Sequence, residues 1–237
     1  MRKGGGMNST KKTARIAGIL YLVNAATGFF GIIYVPSRLV VPGKAAATVS
    51  NILASERLFR LGIASELICA VEFVYLFWIL YRLLSGVSKT HASLMVLLGL
   101  AFVPVMVVNT LSKIGVLMLL HGSDFLSVFD THQLEALAML FLDLHRYGYI
   151  VGWIFGIFHF HFGILVFRSR FLPRILGVLL IAASFGYLAD SLTPFLLPAY
   201  ADIVGRFASI PLALGEPPII LWLLVFGAKD QPLQAQA

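Results

Sequence analysis

Hydrophobic residues along this chain do not alternate with polar residues but form six long, nearly continuous apolar runs. An α-helix rises about 1.5 Å per residue, so roughly 18 or more consecutive apolar residues cross a hydrocarbon core about 30 Å thick. Each run has that length, and we therefore predict an all-α, polytopic membrane protein built as a six-transmembrane-helix bundle. The predicted spans are residues 16–35, 61–81, 92–120, 147–167, 175–197 and 207–226.

The longest connection, residues 36–60, carries an apolar face of its own. Pro42-Gly43 interrupts the chain, and the apolar residues that follow are spaced to fall on one side of a helix. We expect a short helix on the outer surface that leads into the second span. Its role is either a cap over the bundle or a gate or lid that binds a partner. The residues of the apolar face are Ala45, Val49, Ile52, Leu53 and Phe59.

The two ends of the chain are predicted to lie outside the transmembrane domain. Residues 1–10 contain three consecutive glycines and are predicted to be a disordered N-terminal tail. The basic residues at 11, 12 and 15 before an apolar run resemble the start of a signal peptide, but the run is too long for one and more spans follow. We therefore predict one six-helix transmembrane domain over residues 11–229 and a C-terminal tail over residues 230–237.

Composition and charge support a membrane location. Hydrophobic residues make up 59% of the chain and charged residues 12%, whereas a soluble domain carries about 25% charged residues. The formal net charge is +7, but the basic residues flank the spans as insertion requires, so no nucleic-acid partner is expected. The expected partner is the lipid bilayer, and a homo-oligomer is left open.

The positions of lysine and arginine predict the orientation. Most of them fall on the side of the N-terminus, of the second-to-third connection and of the fourth-to-fifth connection. Both termini are therefore predicted to be cytoplasmic, in a cell inner or plasma membrane. Four basic residues on the outer side count against this orientation: Arg38, Lys44, Arg57 and Arg60.

Three ionisable residues are predicted at a similar depth near the middle of the membrane. They are Glu72, His159 and Glu216, on three different spans. A charge at the bilayer centre costs about 3 kcal/mol or more, so each needs a partner or a function. Two carboxylates and an imidazole could hold a cation or transfer a proton. The alternative is that each side chain only forms hydrogen bonds with a neighbouring helix.

A second polar layer is predicted in the outer half of the spans. The signs of its charges nearly balance, which indicates an ion-paired network around an outward-facing vestibule. Structural ion pairs and a binding cavity are both open as its role. The candidate residues are Glu66, Asn109, Lys113, Asp143, Arg146, Asp190 and Arg206, with His145 beside them.

The sequence contains no recognisable catalytic motif. A phosphate-binding glycine loop, a His-Glu-x-x-His helix and a Gly-x-Ser-x-Gly elbow are all missing from it. His159 and His161 are spaced by two and so point to different sides of a helix. The single cysteine, Cys69, lies within the second span and is expected to be a buried packing residue. No catalytic or metal-binding residues are predicted, and any cofactor is unknown.

Several short segments resemble a family of bacterial membrane proteins catalogued as domain of unknown function 4386. The most specific is FRSRFLPRILGVLL at residues 167–180, a turn rich in arginine followed by a proline at the start of a span. ARIAG at residues 14–18, NILASE at 51–56, and Gly215-Glu216 with WLL at 222–224 are also similar. The resemblance covers roughly residues 12–228. It implies a multi-pass bacterial membrane protein and supplies no reaction or ligand residues.

Two classes of function therefore remain, with an intramembrane enzyme as a third. The first is a small transporter, or a protein that binds a cation or proton through mid-membrane carboxylates. The second is a non-catalytic membrane module that binds a protein partner or lipid. The mid-membrane carboxylates favour the first.

Overall fold

The computed structural model describes residues 5–122, 124–149 and 152–229. Within these ranges the regular structure is helical, without strands, and six helical stretches are long and apolar enough to cross a membrane. The prediction of an all-α protein with six membrane-spanning helices is confirmed. The fourth stretch consists of two helices, one before and one after residues 150 and 151, which are outside the described ranges.

Nine α-helices are present in the described part of the chain. They are α1 Gly5–Gly28, α2 Val35–Leu39, α3 Ala45–Ala54, α4 Glu56–Leu84, α5 Lys89–His121, α6 Thr131–Gly148, α7 Gly152–Arg168, α8 Arg174–Leu196 and α9 Ala201–Val225. A π-helical turn, Phe29–Tyr34, joins α1 to α2. Short 3-10 turns occur at Asp124–Val128 and Pro198–Tyr200.

Polar residues and glycines set the ends of these helices. Asp130 caps α6 in a capping box with Gln133, in which each side chain bonds the backbone N–H of the other residue. Gly122 follows α5 with φ of 61°, a conformation that suits glycine at the end of a helix. Pro173 precedes α8 as its N-cap residue. These signals are local, because each lies within a few residues of the helix end that it sets.

The predicted outer helix is present as α3, but it is shorter than expected. It ends at Ala54, and α4 begins two residues later at Glu56. Val49 and Ile52 are buried against α6, whereas Leu53 is 51% exposed. Part of the predicted apolar face therefore packs onto the protein, and Leu53 does not.

Prolines do not end the helices that contain them. Helix α5 continues through Pro104, and α9 continues through Pro211, Pro217 and Pro218. From the sequence alone, Pro217-Pro218 is expected to interrupt the backbone hydrogen bonds of the sixth span. The helix remains continuous, but because proline has no N–H, the carbonyls four residues earlier lack their usual donor.

The predicted N-terminal tail is partly helical, since α1 begins at Gly5. Residues 1–4 and the predicted C-terminal tail, 230–237, lie outside the described residues. Helix α9 ends near the turn before α8, where the Lys229 N–H donates to the carbonyl of Phe171 at 3.0 Å.

The chain divides into two compact units, and the single transmembrane domain over residues 11–229 remains a prediction. The first unit comprises Met1–Val23, Glu72–Phe102 and Ile150–Ala237, and the second comprises Asn24–Val71 and Val103–Tyr149. Helices α1, α4 and α5 contribute to both. In the first unit α7, α8 and α9 pack in sequence, and in the second an apolar core lies around Ile52, Phe59 and Val116.

Candidate functional site

A buried polar cluster in the first unit is centred on the Glu216 carboxylate of α9. The Tyr21 hydroxyl of α1 donates to Glu216 Oε2 at 2.9 Å, and the Tyr187 hydroxyl of α8 donates to Oε1. His159 Nε2 of α7 lies 3.3 Å from the same Oε1. His159 is fully buried, and the Glu216 side chain is 19% exposed. Four spans therefore each supply one polar side chain to this group, which we call the Glu216 cluster.

The hydrogen bonds of His159 fix the position of one of its protons. Its Nδ1 lies 2.9 Å from the carbonyl oxygen of Phe155, and a carbonyl can only accept, so Nδ1 carries a proton. Its Nε2 faces an oxygen of Glu216. This contact is favourable only when a second proton lies on either His159 or Glu216. With that second proton the pair has no net charge, and without it the pair carries one negative charge.

Glu72 is the third residue that the sequence predicts at this depth. Glu72 lies on α4 in the same unit and is half-buried. The Glu216 carboxylate contacts Tyr21, His159 and Tyr187. The structure thus brings His159 and Glu216 together, and a role for Glu72 beside them remains a prediction.

Sequence reasoning did not single out Tyr21 and Tyr187. Both lie inside apolar runs, where tyrosine was counted as one more hydrophobic residue of the span. Their hydroxyl groups were the available signal, since a buried tyrosine hydroxyl usually has a hydrogen-bond partner. The partner itself could not be deduced, because it lies on another span.

A second buried polar cluster lies in the second unit around Glu66 of α4. Glu66 Oε1 accepts a hydrogen bond from the Lys113 ammonium of α5, and His145 Nε2 of α6 lies 2.8 Å from Oε2. The Thr110 hydroxyl is 3.2 Å from Oε2. The side chains of Glu66 and Lys113 are 0% and 2% exposed. We call this group the Glu66 cluster.

The π-helical turn contributes a backbone oxygen to the Glu66 cluster. Lys113 Nζ donates to the carbonyl of Gly31 at 3.0 Å. A Cβ atom at Gly31 would lie 2.7 Å from Cγ of Glu66, so only glycine allows this approach. π-Helical turns are frequently found at functional sites, and here the turn places a carbonyl beside a buried ammonium.

The remaining residues of the predicted outer layer have separate surroundings. Asn109 donates to the carbonyl of His145 at 2.8 Å and so supports the Glu66 cluster. Asp143 and Arg146 form a 3.1 Å ion pair with side chains 40% and 71% exposed. Asp190 and Arg206 are exposed residues of the first unit. Within the second unit, the predicted layer thus contains the Glu66 cluster and the Asp143–Arg146 ion pair.

The two histidines of α7 have different partners, as their spacing indicated. His159 belongs to the Glu216 cluster, whereas His161 Nδ1 lies 3.0 Å from His91 Nδ1 of α5. One ring of this pair donates and the other accepts. Among the described residues, no group of three or more His, Cys, Asp or Glu side chains is arranged to hold a metal ion.

Comparison with known proteins places the chain in a family. A protein of Archaeoglobus fulgidus described as an uncharacterized protein is 35% identical over 122 residues, which covers 49% of this chain and 67% of that protein. That relative comes from an archaeon, so the comparison does not test the bacterial origin that the resemblance implied. No solved structure matches the chain. Residues 16–227 match the family described as domain of unknown function DUF4386, and the chain belongs to this family.

Proposed function

We propose that this membrane protein binds and releases a proton at the His159–Glu216 pair, as the working step of a small transporter in the cytoplasmic membrane. The observation that carries the proposal is the 3.3 Å contact between His159 Nε2 and Glu216 Oε1. The Nδ1 proton of His159 is already donated to the carbonyl of Phe155. The exchangeable proton is therefore the one shared between His159 Nε2 and Glu216 Oε1.

The surroundings of the pair suit reversible proton binding. In the protonated state the imidazole and carboxyl together are neutral, which lowers the cost of burial in a membrane span. In the deprotonated state the Tyr21 and Tyr187 hydroxyls still donate to the carboxylate, and hydrogen bonds to the charged form favour it. The cluster can therefore exist with or without the proton.

Infrared difference spectroscopy of the purified protein in nanodiscs tests proton binding. Spectra recorded across a pH titration should contain a carboxyl band that is lost in Glu216→Gln. Asp202→Asn is the matched control, since Asp202 is an exposed carboxylate at the start of the same helix. A carboxyl band that persists unchanged in Glu216→Gln would contradict the proposal.

Vesicles test whether the bound proton moves across the membrane. Wild-type protein is reconstituted with an internal pH dye, and a potassium diffusion potential is imposed. We expect pH changes faster than in empty vesicles for the wild type and Asp202→Asn, and changes at the empty-vesicle rate for Glu216→Gln. Equal rates for the wild type and Glu216→Gln would rule out transport through this pair.

A membrane module that binds lipid is the second candidate function. A mainly hydrophobic cavity of about 770 Å³ in the second unit, beside the Glu66 cluster, favours it.

A further inference from the structure

The second unit contains a cavity of about 770 Å³ beside the Glu66 cluster. Cavities of about 300–1,000 Å³ with a mostly apolar lining are typical of sites for small ligands. The lining of this cavity is mainly hydrophobic and comes from the π-helical turn and from α2, α3, α4, α5 and α6. Asp143 and Arg146 are lining residues with exposed side chains, so they form the rim.

Among the described residues, two side chains that line the cavity can each donate one more hydrogen bond than they have acceptors for. The Lys113 ammonium has three N–H groups, and its described partners are the Gly31 carbonyl and Glu66. The Tyr149 hydroxyl is buried beside Asn109 without a hydrogen-bond partner in the described part of the chain. Buried donors without acceptors cost free energy. A ligand that supplies an acceptor oxygen would remove that cost.

The charges around the cavity balance. Lys113 is paired with Glu66, and Arg146 is paired with Asp143. His145 contacts the same Glu66 carboxylate, where a neutral imidazole can donate from Nε2. The cavity therefore offers donors without a net positive charge. This combination favours an uncharged acceptor over an anionic head group, because an anion would lie close to the Glu66 carboxylate.

We propose that this cavity binds an uncharged, mainly apolar molecule that carries a carbonyl oxygen, with the carbonyl directed towards Lys113 and Tyr149. The carbonyl of a neutral glyceride ester and that of an alkyl quinone share this chemistry. The apolar body of either ligand occupies the hydrophobic lining, and the ion pairs of the cluster remain in place. The site lies within the second unit and is independent of the proton proposed for Glu216.

Photo-crosslinking of the full-length protein in nanodiscs tests the site. The probe is a monoacylglycerol with a diazirine in its chain, and labelled peptides are mapped by mass spectrometry. We expect adducts on lining segments of α6 around Ala136–Met139, and competition by unlabelled monoacylglycerol or by an alkyl quinone. The competitor that acts at the lower concentration identifies the source of the carbonyl, and a fatty acid with the same chain should compete at least tenfold less well.

Three variants separate cavity binding from adsorption to the surface. Ala136→Trp places bulk in the cavity lining and should reduce specific labelling at least tenfold. Ala54→Trp, at an exposed position outside the lining, should label as the wild type does. Tyr149→Phe should weaken binding by up to about tenfold, the effect of one hydrogen bond.

Two outcomes would overturn the proposal. The first is labelling that Ala136→Trp leaves unchanged while the variant elutes as a folded protein. The second is stronger competition by the fatty acid than by both uncharged ligands, since that result would require a net positive site.

Discussion

The Lys113 ammonium contacts the Glu66 carboxylate in the second unit, where the two side chains are 2% and 0% exposed. Each group would be costly to bury alone, and together with the Gly31 carbonyl and His145 they satisfy most of each other's hydrogen bonds. The arrangement links α4, α5, α6 and the π-helical turn. It therefore holds together the elements that line the cavity.

We predict that breaking this ion pair destabilises the protein more than removing it completely. Lys113→Met leaves a buried carboxylate without its cation and should lower the free energy of unfolding by about 3–5 kcal/mol. The double variant Lys113→Met with Glu66→Gln should recover more than half of that loss. Unfolding in detergent measures both values.

The exposed pair of Asp143 and Arg146 provides the control for this prediction. Arg146→Ala should change the stability by no more than about 1 kcal/mol, because solvent screens exposed ion pairs. If the effects of the Lys113 and Glu66 substitutions simply add, the two residues are not coupled and the prediction is wrong.

The tyrosines of the Glu216 cluster are predicted to contribute stability through Glu216. Tyr21→Phe and Tyr187→Phe each remove a hydrogen bond to a carboxylate and should each cost about 1.5–3 kcal/mol. Tyr75→Phe, at a position 58% exposed, serves as the control and should have little effect. Thermal unfolding in detergent compares the three. A cost for Tyr75→Phe as large as for the other two would argue against the assignment.

Helices α7 and α8 are predicted to tolerate no side chain at their closest approach. A Cβ atom at Gly177 would lie 2.6 Å from the backbone nitrogen of Phe167 and 2.7 Å from the carbonyl oxygen of Gly163. Gly177→Ala should therefore destabilise the protein by about 1–3 kcal/mol, since backbone atoms must move. A Cβ atom at Gly86 would have no neighbouring atom within 4 Å, so Gly86→Ala should leave the stability unchanged. Equal melting temperatures for both variants would contradict this packing.

The orientation in the membrane remains a prediction that cysteine labelling can test. In a Cys69→Ala background, Asp124→Cys and Asp202→Cys should react with an impermeant reagent added outside the cell, because both residues are exposed and lie on the predicted outer side. Gly86→Cys should react only after the membrane is permeabilised. The reverse pattern would place both termini outside.

The hydrophobic pattern by itself determined the all-α class and the six spans. A segment of 20 apolar residues is helical in a bilayer whatever its neighbours are, because its backbone groups can only be satisfied within the helix. The same local logic predicted the outer helix, although its end at Ala54 depends on packing. Counting residues along the spans also predicted a common depth for Glu72, His159 and Glu216.

Only the tertiary structure decided which polar residues meet. Depth places a residue along a span but does not say which way the side chain points or which span is adjacent. The sequence predicted Glu72, His159 and Glu216 at one depth, but it did not predict that Tyr21 and Tyr187 contact Glu216 beside His159. The division between the two units and the carbonyl that the π-helical turn presents to Lys113 likewise depend on contacts between residues far apart in the chain, which periodicity does not encode.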